Sequence, residues 1–547
     1  MIRKILKGIR IISKILLLVL LASIIVTSYY LKKNFSMVTM DELYFYWANG
    51  ITYTNNGIII LAFKTCIPYI LLILTLFIVV LYDITLGKLK FYFSVKYLYK
   101  KKKKKRNKTI FKDRNKDLPI QIYPFKIINN HKIISTILLT VFSLYISLVN
   151  LNAIKFIKNS NTKSKFIEIN YVAPEKVPVT FDEKRNLIFI IVESLETSFF
   201  TKEQGGHWDY EVTPELYSLL TEEDSTTFYN NNLSEQMIML QRNTWTTAGV
   251  IVNTTALPFK VIIDGNQYHS DNFMNGAYAL GDMLKDNGYY TELISSARTN
   301  FGGLSEYYTK HGAFNIIDIN SLKQNKLTIN NKEKNGWGFS DKYLFDTAKS
   351  RLTTLSQNDE PFYMQLITID THFPDGFMYS YSTKKYKTQY ENVYATTSKQ
   401  IYDFVNWVKE QDFYDNTTIV IVGDHISMQS DYFASRGLID TDRFIYSTYI
   451  NSSVEAKKNE GRIYTGLDTY PTIISAIGGR IKGNRLGLGV NLFSSQKTLA
   501  EKYGINKLNE EIIKKSVFYN DKILGSDYEL MIQETGATDE DIEEEEN

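Results

Sequence analysis

The sequence predicts an α/β fold, a mainly parallel sheet covered by helices on both faces and preceded by an α-helical membrane region. Short, continuously apolar runs alternate with amphipathic stretches after about residue 186, the pattern of strands buried on both faces. Three apolar stretches of membrane-spanning length crowd the first 157 residues. No internal repeat interrupts either pattern.

The first expected span is Ile11–Leu31, the second Gly57–Ile84 and the third Ile133–Ile154. No small-residue cleavage site follows the first and more spans come after it, so it reads as an anchor rather than a signal peptide. Arg3, Lys4, Lys7 and Arg10 precede it, and the run YKKKKKKRNK (Tyr99–Lys108) falls between spans two and three. Both belong on the cytoplasmic side by the positive-inside rule, which accounts for the basic run better than nucleic-acid binding does. The expectation is a multi-pass protein of the cell membrane, with a cytoplasmic N-terminus and everything after about residue 157 outside. Net charge is only +4, and the single cysteine, Cys66, excludes an intrachain disulfide and cysteine-based zinc chemistry.

Residues 158–185 read as a polar linker, 186–530 as an extracytoplasmic catalytic domain, and 531–547 as an acidic disordered tail. Within the domain, NLIFIIVE (Asn186–Glu193), YYTELISS (Tyr289–Ser296), PFYMQLITID (Pro361–Asp370) and TTIVIVGD (Thr417–Asp424) read as buried strands. Gly281–Asn287 and Thr397–Asp412 read as amphipathic helices between them.

Ligands of such sheets gather at the carboxyl ends of the strands. Glu193 ends the first strand, Asp424 and His425 end the last, and His372 follows the third. Taken singly, a terminal acid is usually a helix cap and His372 could stabilise the turn before Pro374. Together, oxygen donors with one or two imidazoles suit Mn²⁺, Mg²⁺ or Zn²⁺. The stretch RNTWTTAGVIVNTTALPF (Arg242–Phe259) places Thr246 and Thr247 before Ala-Gly, with no cysteine or histidine nearby. The alternatives are β-branched packing at the start of a helix or strand, or a nucleophile whose partners come from elsewhere in the chain.

Residues 186–495 resemble the phosphoglycerol transferase and lipoteichoic acid synthase branch of the alkaline phosphatase and sulfatase superfamily. The motifs are NLIFIIVESLE, TPEL (Thr213–Leu216), WTTAG, GDH and LDTYPTIISAIGG (Leu467–Gly479). The block around Thr246 is most similar to membrane-bound phosphoglycerol transferases acting on periplasmic glucans. The resemblance implies a sulfatase/alkaline phosphatase-like fold, Thr246 as nucleophile with Thr247 as runner-up, and Glu193, Thr246, Asp424 and His425 as ligands of one divalent cation, with Mn²⁺ favoured. It implies that His372 acts at the substrate, either protonating the leaving oxygen or binding the phosphate. Arg298 and Trp337 are candidate headgroup contacts, with a surface salt bridge the alternative for the first and core packing for the second. The implied activity moves glycerol phosphate from phosphatidylglycerol, a membrane lipid, to a surface polysaccharide through a phospho-threonine intermediate. No nucleic acid takes part.

The rivals differ in chemistry. A phosphoethanolamine transferase of that superfamily usually carries several disulfides, which one cysteine cannot supply. A sulfatase proper needs a cysteine or serine in a C/S-x-P-x-R pattern, absent at Thr246. A glycerol-phosphate polymerase, a phosphodiesterase using water as acceptor, and a non-catalytic envelope-assembly protein complete the alternatives.

Overall fold

The computed structural model describes residues 2–34, 40–49, 56–82, 91–105, 108–122, 131–261, 273–325 and 329–525; the acidic tail expected at 531–547 lies outside them. The chain divides into two compact units, Met1–Lys32 with Ile59–Leu151, and Lys33–Ile58 with Asn152–Asn547.

Helices α1 (Ile2–Asn34), α3 (Asn56–Tyr82) and α4 (Lys132–Asn150) are each long and apolar enough to cross a membrane. Leu16, Phe63 and Leu138 on them are more than half exposed, which suits a lipid environment rather than water. Ser28 and Ser147 share a hydrogen bond of 3.3 Å and Asn150 donates to Ser28 at 3.2 Å, polar links between α1 and α4 of the kind that join helices in lipid. The basic run falls largely within an antiparallel hairpin of β1 (Phe91–Lys105) and β2 (Lys108–Ile122). Between α1 and α3 lies a short helix, α2 (Met40–Asn49), which belongs to the second unit.

The second unit is built on a seven-stranded sheet. Its strands are β3 (Asn186–Val192), β4 (Ser225–Thr226), β5 (Tyr290–Ser295), β6 (Asn315–Ile317), β7 (Phe362–Ile367), β8 (Thr417–Gly423) and β9 (Ser447–Ile450). Their order is β4-β9-β8-β3-β7-β5-β6. The five from β8 to β6 are parallel, and β9 is antiparallel to both of its neighbours. All four strands read from apolar runs form, and the sheet is mainly parallel as expected. Alternation explains why those runs are continuous: Leu187, Phe189 and Ile191 enter one apolar core, while Ile188, Ile190 and Val192 enter the other.

Helices α5 (Thr246–Thr255), α6 (Leu280–Asp286), α7 (Asp341–Leu355), α8 (Gln389–Lys409) and α9 (Thr469–Ala476) supply the flanking layers. α8 starts well before Thr397 because Thr388 and Glu391 form a reciprocal cap at its N-terminus. Residues 158–185 carry the end of one helix (Ala153–Asn161), a second (Phe166–Asn170) and a strand (Val179–Phe181) paired with Gly479–Ile481.

Register positions the site. Val192 pairs with Gly423, so Glu193 and Asp424 leave the sheet side by side. Ile191 pairs with Ile367, which brings the loop after β7, with His372, to the same edge.

Candidate active site

Glu193, Asp424 and His425 are each 1% exposed, and one ligand atom from each lies within 4.8 Å of the others. His425 Nε2 is 3.6 Å from Glu193 Oε1 and 3.4 Å from Asp424 Oδ2. The His425 Nδ1 faces the Ile426 carbonyl at 2.9 Å. A carbonyl can only accept, so Nδ1 carries a proton and Nε2 is the nitrogen turned toward the carboxylates, able to offer a lone pair to a cation once its own proton has left. Asp424 Oδ1 accepts the backbone N–H groups of Ser194 (2.7 Å) and His425 (2.8 Å), while the buried Oδ2 accepts no hydrogen bond among the described residues. Two buried carboxylates whose ion-pair partner among the described residues is one imidazole leave negative charge to be balanced. The donor set, with an open carboxylate oxygen and an oriented lone pair, fits a divalent cation.

The electrostatics reflect that crowding. Burial and the Glu193 charge push the Asp424 carboxyl up to about 7. Burial would also raise Glu193, but the His372 and His425 imidazoles and the Ser194 and Thr246 hydroxyls hold it below the usual carboxylate range. Burial lowers His425, yet the Asp424 and Glu193 charges and the bond to the Ile426 carbonyl carry it above the ordinary imidazole value. His372 is lowered, chiefly by burial.

Thr246 is the first residue of α5, and its Oγ1 donates to Glu193 Oε2 at 2.9 Å. Trp245, in extended conformation before it, caps no N–H with its side chain, so the first turn of α5 offers backbone donors and the positive helix end to an anion. Thr247 is buried and its hydroxyl donates to the Gly302 carbonyl at 3.0 Å, away from the carboxylates. The neighbouring glycine is required by packing: a Cβ on Gly249 would lie 2.5 Å from the Asp424 carbonyl oxygen. Gly249→Ala is therefore expected to lower stability by about 1–3 kcal/mol. By pushing α5 off β8, it should also reduce turnover by at least about tenfold, read from thermal melts and single-turnover rates on the same preparation.

Several contributors escaped the sequence reading. Ser194 follows Glu193 at φ 54°, a left-handed conformation unusual for serine, and its hydroxyl donates to Glu193 Oε1 at 2.6 Å. Thr368 Oγ1 accepts the Glu193 N–H at 3.0 Å, and the Thr371 hydroxyl donates to the Glu193 carbonyl. The loop that carries His372 is thus tied to the strand that carries Glu193. Asp341 at the start of α7 accepts the N–H groups of Ile369 (2.8 Å) and Asp370 (3.0 Å), and Asp370 returns the bond to the Asp341 N–H at 3.0 Å. Burial pushes Asp341 up to about 6 and Asp370 well above its usual value. The serine-aspartate that starts α7 was the available signal, as a helix start; the partner in the other loop was not visible.

His372 places Nδ1 at 2.6 Å from the Phe373 carbonyl, which fixes its tautomer as for His425. Trp337 packs between His372 (ring centroids 4.8 Å apart) and Phe301 (4.9 Å). It is 3% exposed, and its indole N–H is buried with no partner among the described residues. Arg298 is half-buried and spends Nη1 on the carbonyls of Gly336 (3.1 Å) and Trp337 (2.8 Å). Of the residues singled out, the structure joins Glu193, Thr246, Asp424 and His425 directly, sets His372 near Glu193, and reaches Arg298 only through Trp337.

The sulfatase family model matches residues 185–479. The chain is 27% identical over 326 residues to phosphoglycerol transferase I of Salmonella choleraesuis, covering 57% of this chain and 39% of that protein. It is 28% identical over 322 residues to phosphoglycerol transferase I of Shigella flexneri, covering 58% and 40%. The chain therefore spans about two fifths of the length of these curated relatives. A solved protein of the alkaline phosphatase superfamily from Vibrio parahaemolyticus is 22% identical, with a TM-score of 0.45, over 59% of this chain and 72% of that one.

Proposed function

Because the chain belongs to the sulfatase family, we propose that it is a membrane-anchored phosphoglycerol transferase that takes glycerol phosphate from phosphatidylglycerol and passes it to a cell-envelope polysaccharide. The observation that carries the reading is the Thr246 hydroxyl, held 2.9 Å from Glu193 at the open end of α5. The likeness to curated phosphoglycerol transferases supports the choice of donor.

In this account Thr246 Oγ attacks the phosphodiester phosphorus as its proton leaves through the hydrogen bond to Glu193. A divalent cation held by Glu193, Thr246, Asp424 and His425, which we assign as Mn²⁺, would supply charge neutralisation and a lowered hydroxyl pKa. The N–H groups of the first α5 turn receive the phosphate oxygens. His372 is neutral in the free site; an arriving anionic phosphodiester favours its protonated form, and Nε2 then gives that proton to the departing diacylglycerol oxygen. The phosphoglyceryl-threonine is next attacked by an acceptor hydroxyl, whose proton passes to the now neutral His372, and Thr246 leaves as its oxygen takes back its proton from Glu193. Trp337 offers its N–H, unpartnered among the described residues, to the headgroup, and Arg298 braces that segment through its bonds to the Gly336 and Trp337 carbonyls.

We place the second unit outside the cell and the N-terminus in the cytoplasm, with α1, α3 and α4 as spans. The basic residues support this, and so does the assignment of Lys33–Ile58 to the catalytic unit. Two spans separate that segment from residue 152, so both ends lie on the same side.

Trp337→Phe keeps the ring and removes the donor. It should raise KM for the lipid about three- to tenfold, leaving kcat and the melting temperature nearly unchanged, as for one lost hydrogen bond. The reading itself is tested with the full chain in nanodiscs with Mn²⁺, measuring diacylglycerol released from phosphatidylglycerol and from phosphatidylethanolamine. Release from the first alone supports it; release only from the second assigns a phosphoethanolamine donor instead.

A further inference from the structure

α2 lies within the first fifty residues of the chain, yet it is packed against the element that carries Thr246. Phe45 is 1% exposed. Its ring centroid is 5.0 Å from that of Trp245 and 5.7 Å from that of Phe259, and these two are 5.6 Å apart. The three rings close a triangle in the tilted and edge-on arrangements that aromatic pairs favour. Trp245 and Phe259 bracket α5, so one side chain from a distant part of the sequence touches both ends of the nucleophile segment. Glu42, one turn earlier on α2, is 5% exposed. Tyr44 packs on the same core. Two apolar spans, α3 and α4, separate this helix from the residues it packs against.

We propose that α2 is part of the active site, with Phe45 as a positioning residue that holds Trp245 and, through it, the hydroxyl of Thr246 in line for attack. The proposal rests on the assignment of Thr246 as nucleophile. Its physical basis is that Trp245 sets the direction in which the chain enters α5, and small displacements of an attacking atom cost large factors in rate. Phe45 touches no reacting atom in this account. It acts on kcat rather than on lipid affinity, and the segment between the first two spans becomes part of the catalytic machinery rather than a tether.

The test compares the full wild-type chain with Phe45→Ala, Phe45→Leu and Leu508→Ala in nanodiscs of phosphatidylglycerol. Leu508 is fully buried in the same core and serves as a packing control. Phe45→Ala should lower kcat about tenfold, equivalent to about 1.4 kcal/mol of barrier, with KM changed less than about twofold. Phe45→Leu should recover most of that rate, and Leu508→Ala should lower the melting temperature without the loss in kcat. Amide exchange over residues 245–249 should quicken in Phe45→Ala and stay near wild type in Leu508→Ala. Equal kcat for the two alanine variants, corrected for folded fraction, or equal exchange over 245–249, would overturn the proposal. A wild-type chain that releases no diacylglycerol would sink the transferase reading instead, and the exchange comparison would still decide the role of Phe45.

Discussion

Thr246→Ala is expected to reduce turnover by on the order of 10⁴-fold or more, with Thr247→Ala within about tenfold of wild type. The two hydroxyls are neighbours in sequence but serve different structures. Thr246 Oγ1 points to Glu193, while Thr247 Oγ1 donates to the Gly302 carbonyl. Loss of Thr246 removes the only group in this account that can form the covalent bond. Loss of Thr247 leaves one buried carbonyl unpaired, which affects stability more than rate, by about 1–3 kcal/mol. Thr246→Ser keeps a hydroxyl and should retain measurable turnover. Diacylglycerol release, scaled to the folded fraction from a melting curve, separates these outcomes.

Removal of the cation should have an effect of similar size, and it should depend on pH in a defined direction. Chelation, or Asp424→Asn, is expected to lower turnover by on the order of 10³-fold. Asp424 sits at about 7 in the cation-free protein because it is buried beside Glu193. A proton must therefore leave before the carboxylate can bind, and His425 must likewise lose one, so Mn²⁺ affinity should weaken at least about tenfold per pH unit below about 7. Its folded value lies above that of an unfolded aspartate. Its contribution to cation-free stability is thus fully present below about pH 4 and is lost as pH rises through about 7. Asp424→Asn removes that buried charge and can keep the two N–H bonds made to Oδ1. At pH 8 the cation-free variant should be more stable than the cation-free wild type, by on the order of 1–3 kcal/mol, and should no longer respond to Mn²⁺. Calorimetric titration and melting curves between pH 5 and 8 check both statements.

The parts of the site that end strands were legible in sequence because a parallel sheet announces its strands as unbroken apolar runs. Glu193 and Asp424 each close such a run, and the register that sets Val192 beside Gly423 makes them neighbours. The supports were not legible, since each depends on a contact between segments far apart in the chain. The left-handed turn at Ser194 has no glycine or asparagine to mark it. The Asp341–Asp370 pair joins loops whose proximity follows only from packing. An amphipathic pattern at Met40–Asn49 can indicate a helix, but it carries no information on which surface that helix covers. Trp337 and Arg298 were singled out in the sequence as candidates, but that the second donates to the carbonyl of the first follows only from the fold.

The most direct measurement is the intact mass of the full chain after a single turnover with phosphatidylglycerol and Mn²⁺ in the absence of acceptor, followed by peptide mapping. The account predicts a phosphoglycerol adduct on the peptide that contains Thr246, absent from Thr246→Ala and present on Thr247→Ala. Diacylglycerol release with no adduct, or an adduct that persists in Thr246→Ala, would contradict the covalent threonine route.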